Sequence, residues 1–100
     1  MTHAIGEGSH AEGIETEAND KGAHTEGLNT KAIGVGSHSE GYLSNASGIY
    51  AHSEGQNTEA TMRASHAEGK ETHATGDYSH AEGYGPEASG EGSHAEGYIT

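Results

Sequence analysis

Seven histidine/glutamate pairs are the residues of this 100-residue chain whose types and spacing could do chemistry. In each pair the histidine is followed two residues later by the glutamate and three residues later by a glycine. This motif repeats every fourteen residues without insertion or deletion. Imidazole and carboxylate groups at a fixed spacing can form ion pairs, bind metal ions or take part in hydrolysis. The members of this His/Glu ladder are His10, Glu12, His24, Glu26, His38, Glu40, His52, Glu54, His66, Glu68, His80, Glu82, His94 and Glu96.

Hydrolysis by a Ser-His-Glu arrangement is suggested by the serine that precedes several of these histidines. A repeated coil of small residues provides no oxyanion hole and no single deep pocket, and seven copies are more than catalysis needs. The sequence also lacks an HExxH motif, a P-loop and a complete GxGxxG motif. It therefore predicts a protein that is not an enzyme.

The elements that must position the ladder follow from the same repeat. Each fourteen residues divide into two sevens of the form small-x-Ala-x-Gly-x-x, which has the two-residue alternation of a strand. The large apolar residues that a coiled coil needs are missing from the fixed positions, so a helix is excluded. Self-similarity at a fixed period indicates a solenoid. We expect an all-β chain, a parallel β-roll of seven 14-residue coils that rise about 4.8 Å each and span roughly 34 Å.

Small residues at fixed positions define the expected core and corners. One position accepts only alanine, which predicts a core with no room for a larger side chain: Ala4, Ala18, Ala32, Ala46, Ala60, Ala74 and Ala88. The glycines are predicted to open corners in a backbone conformation that is costly for other residues. Asp20 and Met62 replace one of these glycines, and we expect the corner at Met62 to differ in shape. Pro86 is placed at the first residue of a strand.

Composition sets the remaining limits. Leu, Ile, Val and Phe supply only eight residues, beside 17 glycines and a net charge of -12, which alone would indicate disorder. The strict repeat overrides that interpretation. Four Lys and Arg argue against binding to nucleic acid or to an anionic membrane surface, and no run approaches the length of a membrane span. We treat residues 1–100 as a single repeat domain and expect a fragment of a longer fibrous protein.

The pattern Ser-x-Ala-x-Gly-x-x-Ser/Thr-x-Ala-x-Gly resembles the YadA-like head repeat of trimeric autotransporter adhesins, and similar repeats occur in phage and prophage tail fibres. The resemblance covers essentially the whole chain. It implies a left-handed parallel β-roll, three of which pack around a threefold axis as a homotrimer. It also implies a structural or adhesive segment at the bacterial cell surface, extracellular, or alternatively in a virion tail fibre. The implied partners are its own copies and a host extracellular matrix protein or glycan.

The chain departs from that family at the ladder itself. Family repeats commonly carry Val and Ile where this chain has His and Glu in all seven coils. The matching positions of the other half-repeat vary from coil to coil, as at His3, Glu17 and Lys31, which is typical of a solvated face. Uniformity instead indicates a packing constraint. We therefore predict that the ladder lies along the trimer axis, and the small core also favours a trimer over a lone coil.

Two roles for the ladder stay open. In the favoured one, each Glu is neutralised by a His of the same or of a neighbouring chain, and no cofactor is needed. In the alternative, the stacked imidazoles bind a divalent transition-metal ion through His10, His24, His38, His52, His66, His80 and His94. If Glu holds protons on His, the pKa of the histidines is expected above about 6.5, with greatest stability near pH 5 to 6. If desolvation wins, the optimum moves to neutral pH or above.

Tyrosines are the other candidates for contact. Tyr42, Tyr84 and Tyr98 follow the glycine of the repeated motif, and Tyr50 and Tyr78 end the other half-repeat. All five are predicted to lie near corners. We expect them to cover the contacts between neighbouring chains; the alternative is an aromatic rim for a host ligand.

Overall fold

The computed structural model describes residues 2–98 as two parallel seven-stranded sheets. The short-strand sheet contains β1 (His3–Ala4), β3 (Glu17–Ala18), β5 (Lys31–Ala32), β7 (Asn45–Ala46), β9 (Glu59–Ala60), β11 (His73–Ala74) and β13 (Glu87–Ala88). The long-strand sheet contains β2 (His10–Ile14), β4 (His24–Leu28), β6 (His38–Tyr42), β8 (His52–Gln56), β10 (His66–Lys70), β12 (His80–Tyr84) and β14 (His94–Tyr98). Each coil of the chain contributes one strand to each sheet.

The register follows the fourteen-residue period throughout. His66 pairs with His80 and with His52 on either side, so each ladder residue lies beside its equivalent in the next coil. The structure measures 35 × 22 × 10 Å. The predicted all-β parallel solenoid of about seven turns is confirmed, and so is its length. Within residues 2–98 there is no helix that could cross a membrane.

The core between the sheets consists of alanine and small hydroxyl residues. The alanine column is buried from Ala18 to Ala88, with exposures of 0–2%, whereas Ala4 in the first coil is exposed. The largest side chains that residues 2–98 bury completely are threonine and Pro86. Hydroxyl pairs cross the core, as at Ser53 Oγ and Thr58 Oγ1, 2.7 Å apart. The prediction of a core with no room is confirmed.

The corner after each short strand is the same tight turn in all seven coils. The amide of its fourth residue donates to the carbonyl of its first, at 3.1 Å from Ser65 to Met62 and at 3.1 Å from Ser37 to Gly34. The left-handed residue lies two positions after Met62, at Ala64, where φ is 53°. Only that later position of such a turn needs positive φ. The prediction that the corner at Met62 differs in shape is therefore wrong.

Glycine is needed for two different reasons in the two halves of the repeat. In the long strands the glycine column has φ of 112–118°, as at Gly55 and Gly69; the costly conformation is confirmed there, but these glycines lie within the strands and do not open corners. In the short-strand half, Gly48 lacks positive φ. A Cβ there would overlap the backbone carbonyl of Met62 in the next coil. Close stacking of coils, rather than backbone conformation, favours glycine in that column.

Pro86 lies directly before β13, one residue earlier than predicted. It is buried, and its carbonyl accepts a hydrogen bond from the His73 amide at 3.0 Å. In the preceding coil the Thr72 carbonyl accepts from Glu59 in the same way, at 2.9 Å. Because this position contributes its carbonyl to the contact between coils, a proline is accommodated without loss of that bond.

Candidate functional site

The long-strand sheet presents the whole His/Glu ladder on its outer face. Each of its strands begins with histidine and alternates, so that in β8 His52 and Glu54 point outward while Ser53 is 0% exposed. The inner five histidines keep 34–38% of their side chains exposed and the terminal two 54%. The structure therefore brings together all fourteen residues that the sequence singles out.

The seven imidazoles form one continuous stack. Successive ring centroids lie 4.5–4.8 Å apart, and the rings are within 2–20° of parallel. The spacing equals that of neighbouring strands in a sheet, because the fourteen-residue register places each ring directly over the last. All Nε2 atoms consequently face the glutamate column of the same sheet.

Each histidine faces the glutamate of its own strand without a hydrogen bond. The distance from Nε2 to the nearest carboxylate oxygen of that glutamate is 3.5–3.9 Å in all seven coils. An N–H···O hydrogen bond spans about 2.7–3.2 Å. In the inner coils the Nε2 atom is also shielded from solvent and has no hydrogen-bond partner among the described residues: His24, His38, His52, His66 and His80.

Burial lowers the pKa of His66, and the positive charges that His52 and His80 would carry lower it further. Glu68 opposes this shift but does not reverse it. Of the two alternatives for the histidine pKa, the raised pKa is therefore wrong at His66, and the one in which desolvation wins holds there, because desolvation and stacked like neighbours outweigh the glutamate. Hydrogen bonding by Glu82 and then by Glu54 lowers the pKa of Glu68. The charged form of Glu68 is therefore favoured despite its partial burial.

A groove of about 980 Å³ runs along the ladder. Its floor is the glycine column from Gly41 to Gly97 and its wall the glutamate column from Glu40 to Glu96. The glycines have no side chain to fill it, and a Cβ at Gly55 would overlap the carbonyl of Gly69. The groove repeats the same two residues in each coil and does not gather different catalytic groups at one point.

The ladder could hold a metal ion. One group consists of His52, Glu54 and His66, whose ligand atoms all lie within 4.8 Å of one another. The same grouping recurs at the other steps between His24 and His94, five in all within the described residues. Imidazole with carboxylate is a ligand set typical of zinc and of its neighbours in the first transition row.

A second kind of His/Glu pair lies on the opposite sheet, at positions whose variation along the sequence predicts a solvated face. His73 Nδ1 and Glu59 Oε1 are hydrogen-bonded at 2.9 Å across neighbouring coils. The fourteen-residue separation of these two residues was the signal that could have revealed the pair.

The tyrosines behave as predicted in position: Tyr42, Tyr84 and Tyr98 end long strands beside the corners.

Comparison of the chain with known protein families, with curated proteins and with solved structures finds no match. The resemblance to YadA-like head repeats therefore stays a prediction from the sequence pattern. Function has to be argued from the geometry of the two sheets.

Proposed function

We propose that this chain is a non-enzymatic structural segment of a trimeric cell-surface adhesin or tail fibre. Three chains, each a left-handed β-roll, pack with their long-strand sheets toward a threefold axis. The segment acts through stiffness, length and display of several copies, and it needs no cofactor for this role. Its place is outside the cell, at the bacterial surface or in a virion, within a longer fibre.

The observation that carries this proposal is the size of the core. The side chains buried between the sheets are alanine, serine and threonine with one proline, in a body only 10 Å thick. Such a core buries little apolar area per residue, and apolar burial is the main favourable contribution to folding. A second surface buried against other copies would supply what the core lacks.

The contrast between the two outer faces supports the choice of the inward one. The long-strand face carries His and Glu in every coil, while the short-strand face changes from Glu59 to His73 to Glu87 in successive coils. A surface packed against identical copies has strict requirements at each position, whereas a solvated surface has few.

Apolar side chains at the edge of the long-strand sheet support the same orientation. Ile14, Leu28 and Tyr42 end the first three long strands and are 60%, 39% and 44% exposed. The register aligns them in one column. In the proposed trimer this column covers the contact between neighbouring chains, and contact with a host matrix protein or glycan falls to the outer corners.

Sedimentation equilibrium of the untagged chain in EDTA tests the assembly. We expect a mass near three times 10.2 kDa and no folded monomer on dilution. A sharp unfolding transition of a monomer, independent of concentration, would contradict the trimer. The sequence flanking this segment in its parent gene separates the two settings: a membrane anchor favours the adhesin, and a chaperone or autoproteolytic domain the tail fibre.

A matched pair of variants tests which face lies inward. His52→Asp adds a carboxylate to each chain beside the axis, where it lacks a donor, and should raise the trimer dissociation constant at least about tenfold. His73→Asp makes the same change on the short-strand face, where Glu59 and Glu87 already occupy equivalent positions, and should leave the dissociation constant unchanged. The reverse result would place the short-strand sheet at the axis.

A further inference from the structure

We propose that the His/Glu ladder binds divalent transition-metal ions of the zinc class, each held by the histidine Nε2 and the glutamate carboxylate of a single strand. This goes beyond the structural role and does not depend on the trimer, because one chain supplies both ligands. The ladder then serves as a linear array of metal sites along the rod.

The separation of the two groups fits an ion better than a proton. Nε2 and the carboxylate oxygen lie 3.6 Å apart in the strands of His52 and His66, beyond hydrogen-bond range. Zinc bonds to imidazole nitrogen and to carboxylate oxygen are about 2.0–2.2 Å long. Two such bonds that meet at an angle of about 120° span roughly 3.6 Å. The ion therefore fits between the groups with little movement of either.

The Nε2 atoms lack any other partner. Five are shielded from solvent, at His24, His38, His52, His66 and His80, and none of these five accepts or donates a hydrogen bond within residues 2–98. A buried polar atom without a partner costs free energy, so nearly all such atoms in proteins are satisfied. In each coil a carboxylate oxygen of the same strand lies 3.5–3.9 Å from Nε2, and this carboxylate is the second ligand that the ion needs.

The pair on the opposite sheet serves as an internal contrast. His73 and Glu59 come from neighbouring coils and approach to 2.9 Å, so a proton already satisfies them. Their separation leaves no room for an ion between the two atoms. The same residue types thus form a hydrogen bond on one sheet and an open gap on the other.

The stack also limits how many ions bind. Adjacent rings are near parallel and 4.5–4.8 Å apart, so their in-plane lone pairs cannot converge on one ion at about 2.1 Å. Each ion belongs to one strand, and a glutamate of the neighbouring coil can add a ligand: Glu68 Oε1 of the preceding coil lies 3.9 Å from His80 Nε2. Ions in adjacent coils repel strongly at this spacing. Alternate occupancy predicts about three to four ions per chain.

Calorimetric titration of the untagged, EDTA-treated and dialysed chain with zinc chloride at pH 7.5 tests the proposal, with elemental analysis of the loaded protein. We expect about three to four zinc ions per chain and no binding of Mg²⁺, which prefers oxygen ligands. Fewer than one zinc ion per chain would overturn the proposal. Sedimentation in EDTA reports the trimer separately: a metal-free trimer that ignores zinc overturns this inference alone, and a zinc-binding monomer overturns the proposed assembly alone.

Two triple variants locate the ions. Replacing His38, His52 and His66 together with Gln leaves two pairs at each end of the rod, and each end should hold one ion, so zinc falls to about two per chain. Replacing Glu40, Glu54 and Glu68 with Gln keeps side-chain shape and should give the same loss of zinc. This second variant tests the site even if the histidine variant fails to fold. His73→Ala is the control and should leave zinc stoichiometry unchanged. Unchanged stoichiometry in both triple variants would overturn the site.

Discussion

The two sheets of this solenoid contain the same pair of side chains in two different geometries. On the long-strand sheet, His52 and Glu54 are neighbours along one strand, and the pleat holds their polar atoms 3.6 Å apart. On the short-strand sheet, His73 and Glu59 are neighbours across two coils and form a 2.9 Å hydrogen bond. Strand spacing lets side chains of adjacent strands meet, while positions two apart on one strand are farther from each other. Whether His and Glu are neighbours along one strand or across two coils therefore decides whether they form a hydrogen bond.

The sheets also differ in what their glycines accomplish. The long-strand column combines positive φ with contact to the next coil, whereas the short-strand column has only the contact. Met62 and Asp20 replace glycine in the second column and keep the turn hydrogen bond, at 3.1 Å each. The long-strand glycine column is thus constrained by both backbone conformation and contact with the next coil, whereas the short-strand column is constrained by that contact alone.

The largest expected effect breaks this difference directly. Gly55→Ala adds a Cβ that overlaps the Gly69 carbonyl at φ 116°, and should lower the free energy of unfolding by about 3–5 kcal/mol. Gly48→Ala should cost only about 1–2 kcal/mol, since Met62 occupies the same column with its turn hydrogen bond kept at 3.1 Å. Chemical denaturation of both variants measures the difference. Equal costs would mean that backbone conformation contributes nothing at Gly55.

A smaller effect concerns the outward faces. Glu54→Ala removes the carboxylate nearest to His52 Nε2 and, in the proposed trimer, leaves a cavity beside the axis, so it should destabilise the assembly by about 1–2 kcal/mol. The double change of His52→Val with Glu54→Ile should be neutral or stabilising by about 1 kcal/mol, because β-branched residues suit strands and a well-packed apolar pair often exceeds an ion pair. Thermal melts at fixed chain concentration measure both.

The matched control lies on the other sheet. Glu59→Ala breaks the hydrogen bond to His73, but that pair is 46% and 40% exposed, so the loss should be only about 0.5 kcal/mol. A double change that destabilises more than Glu54→Ala alone would count against a packed ladder. It would indicate that the polar face is solvated in the assembled protein.

The sequence predicted the repeat geometry well because that geometry depends on backbone spacing. Fourteen-residue register, the Ala18 column and the outward placement of His52 and Glu54 all follow from a period of two within a period of fourteen. It failed where the outcome depends on a balance or on local distances. The positive φ at Ala64, the open gap at His52 and the lowered pKa of His66 arise from the path of the corner, the strand pleat and desolvation.

The smallest expected effect is on pH dependence, and it distinguishes one histidine of each sheet. The pKa of His66 is lowered in the fold, so the unfolded chain takes up its proton first. The contribution of His66 is fully present above its unfolded pKa of about 6.5 and is lost as pH falls through that value toward the lower folded pKa. The pKa of Glu68 is also lowered, so its contribution is present above about 4.3 and is lost as pH falls through its folded pKa.

Both pKa shifts therefore lower the stability of the fold as pH falls. Thermal melts of the chain in EDTA from pH 4 to 9, at fixed concentration, should show stability that rises to about pH 7 and then levels off. His66→Gln should reduce the loss of stability between pH 7 and 5. His73→Gln is the control, because it removes a histidine of the short-strand sheet and leaves the ladder intact. A stability maximum between pH 5 and 6 would show instead that the glutamates hold protons on the stacked imidazoles. The ladder would then be a column of ion pairs, and its Nε2 atoms would not be free to bind zinc at that pH.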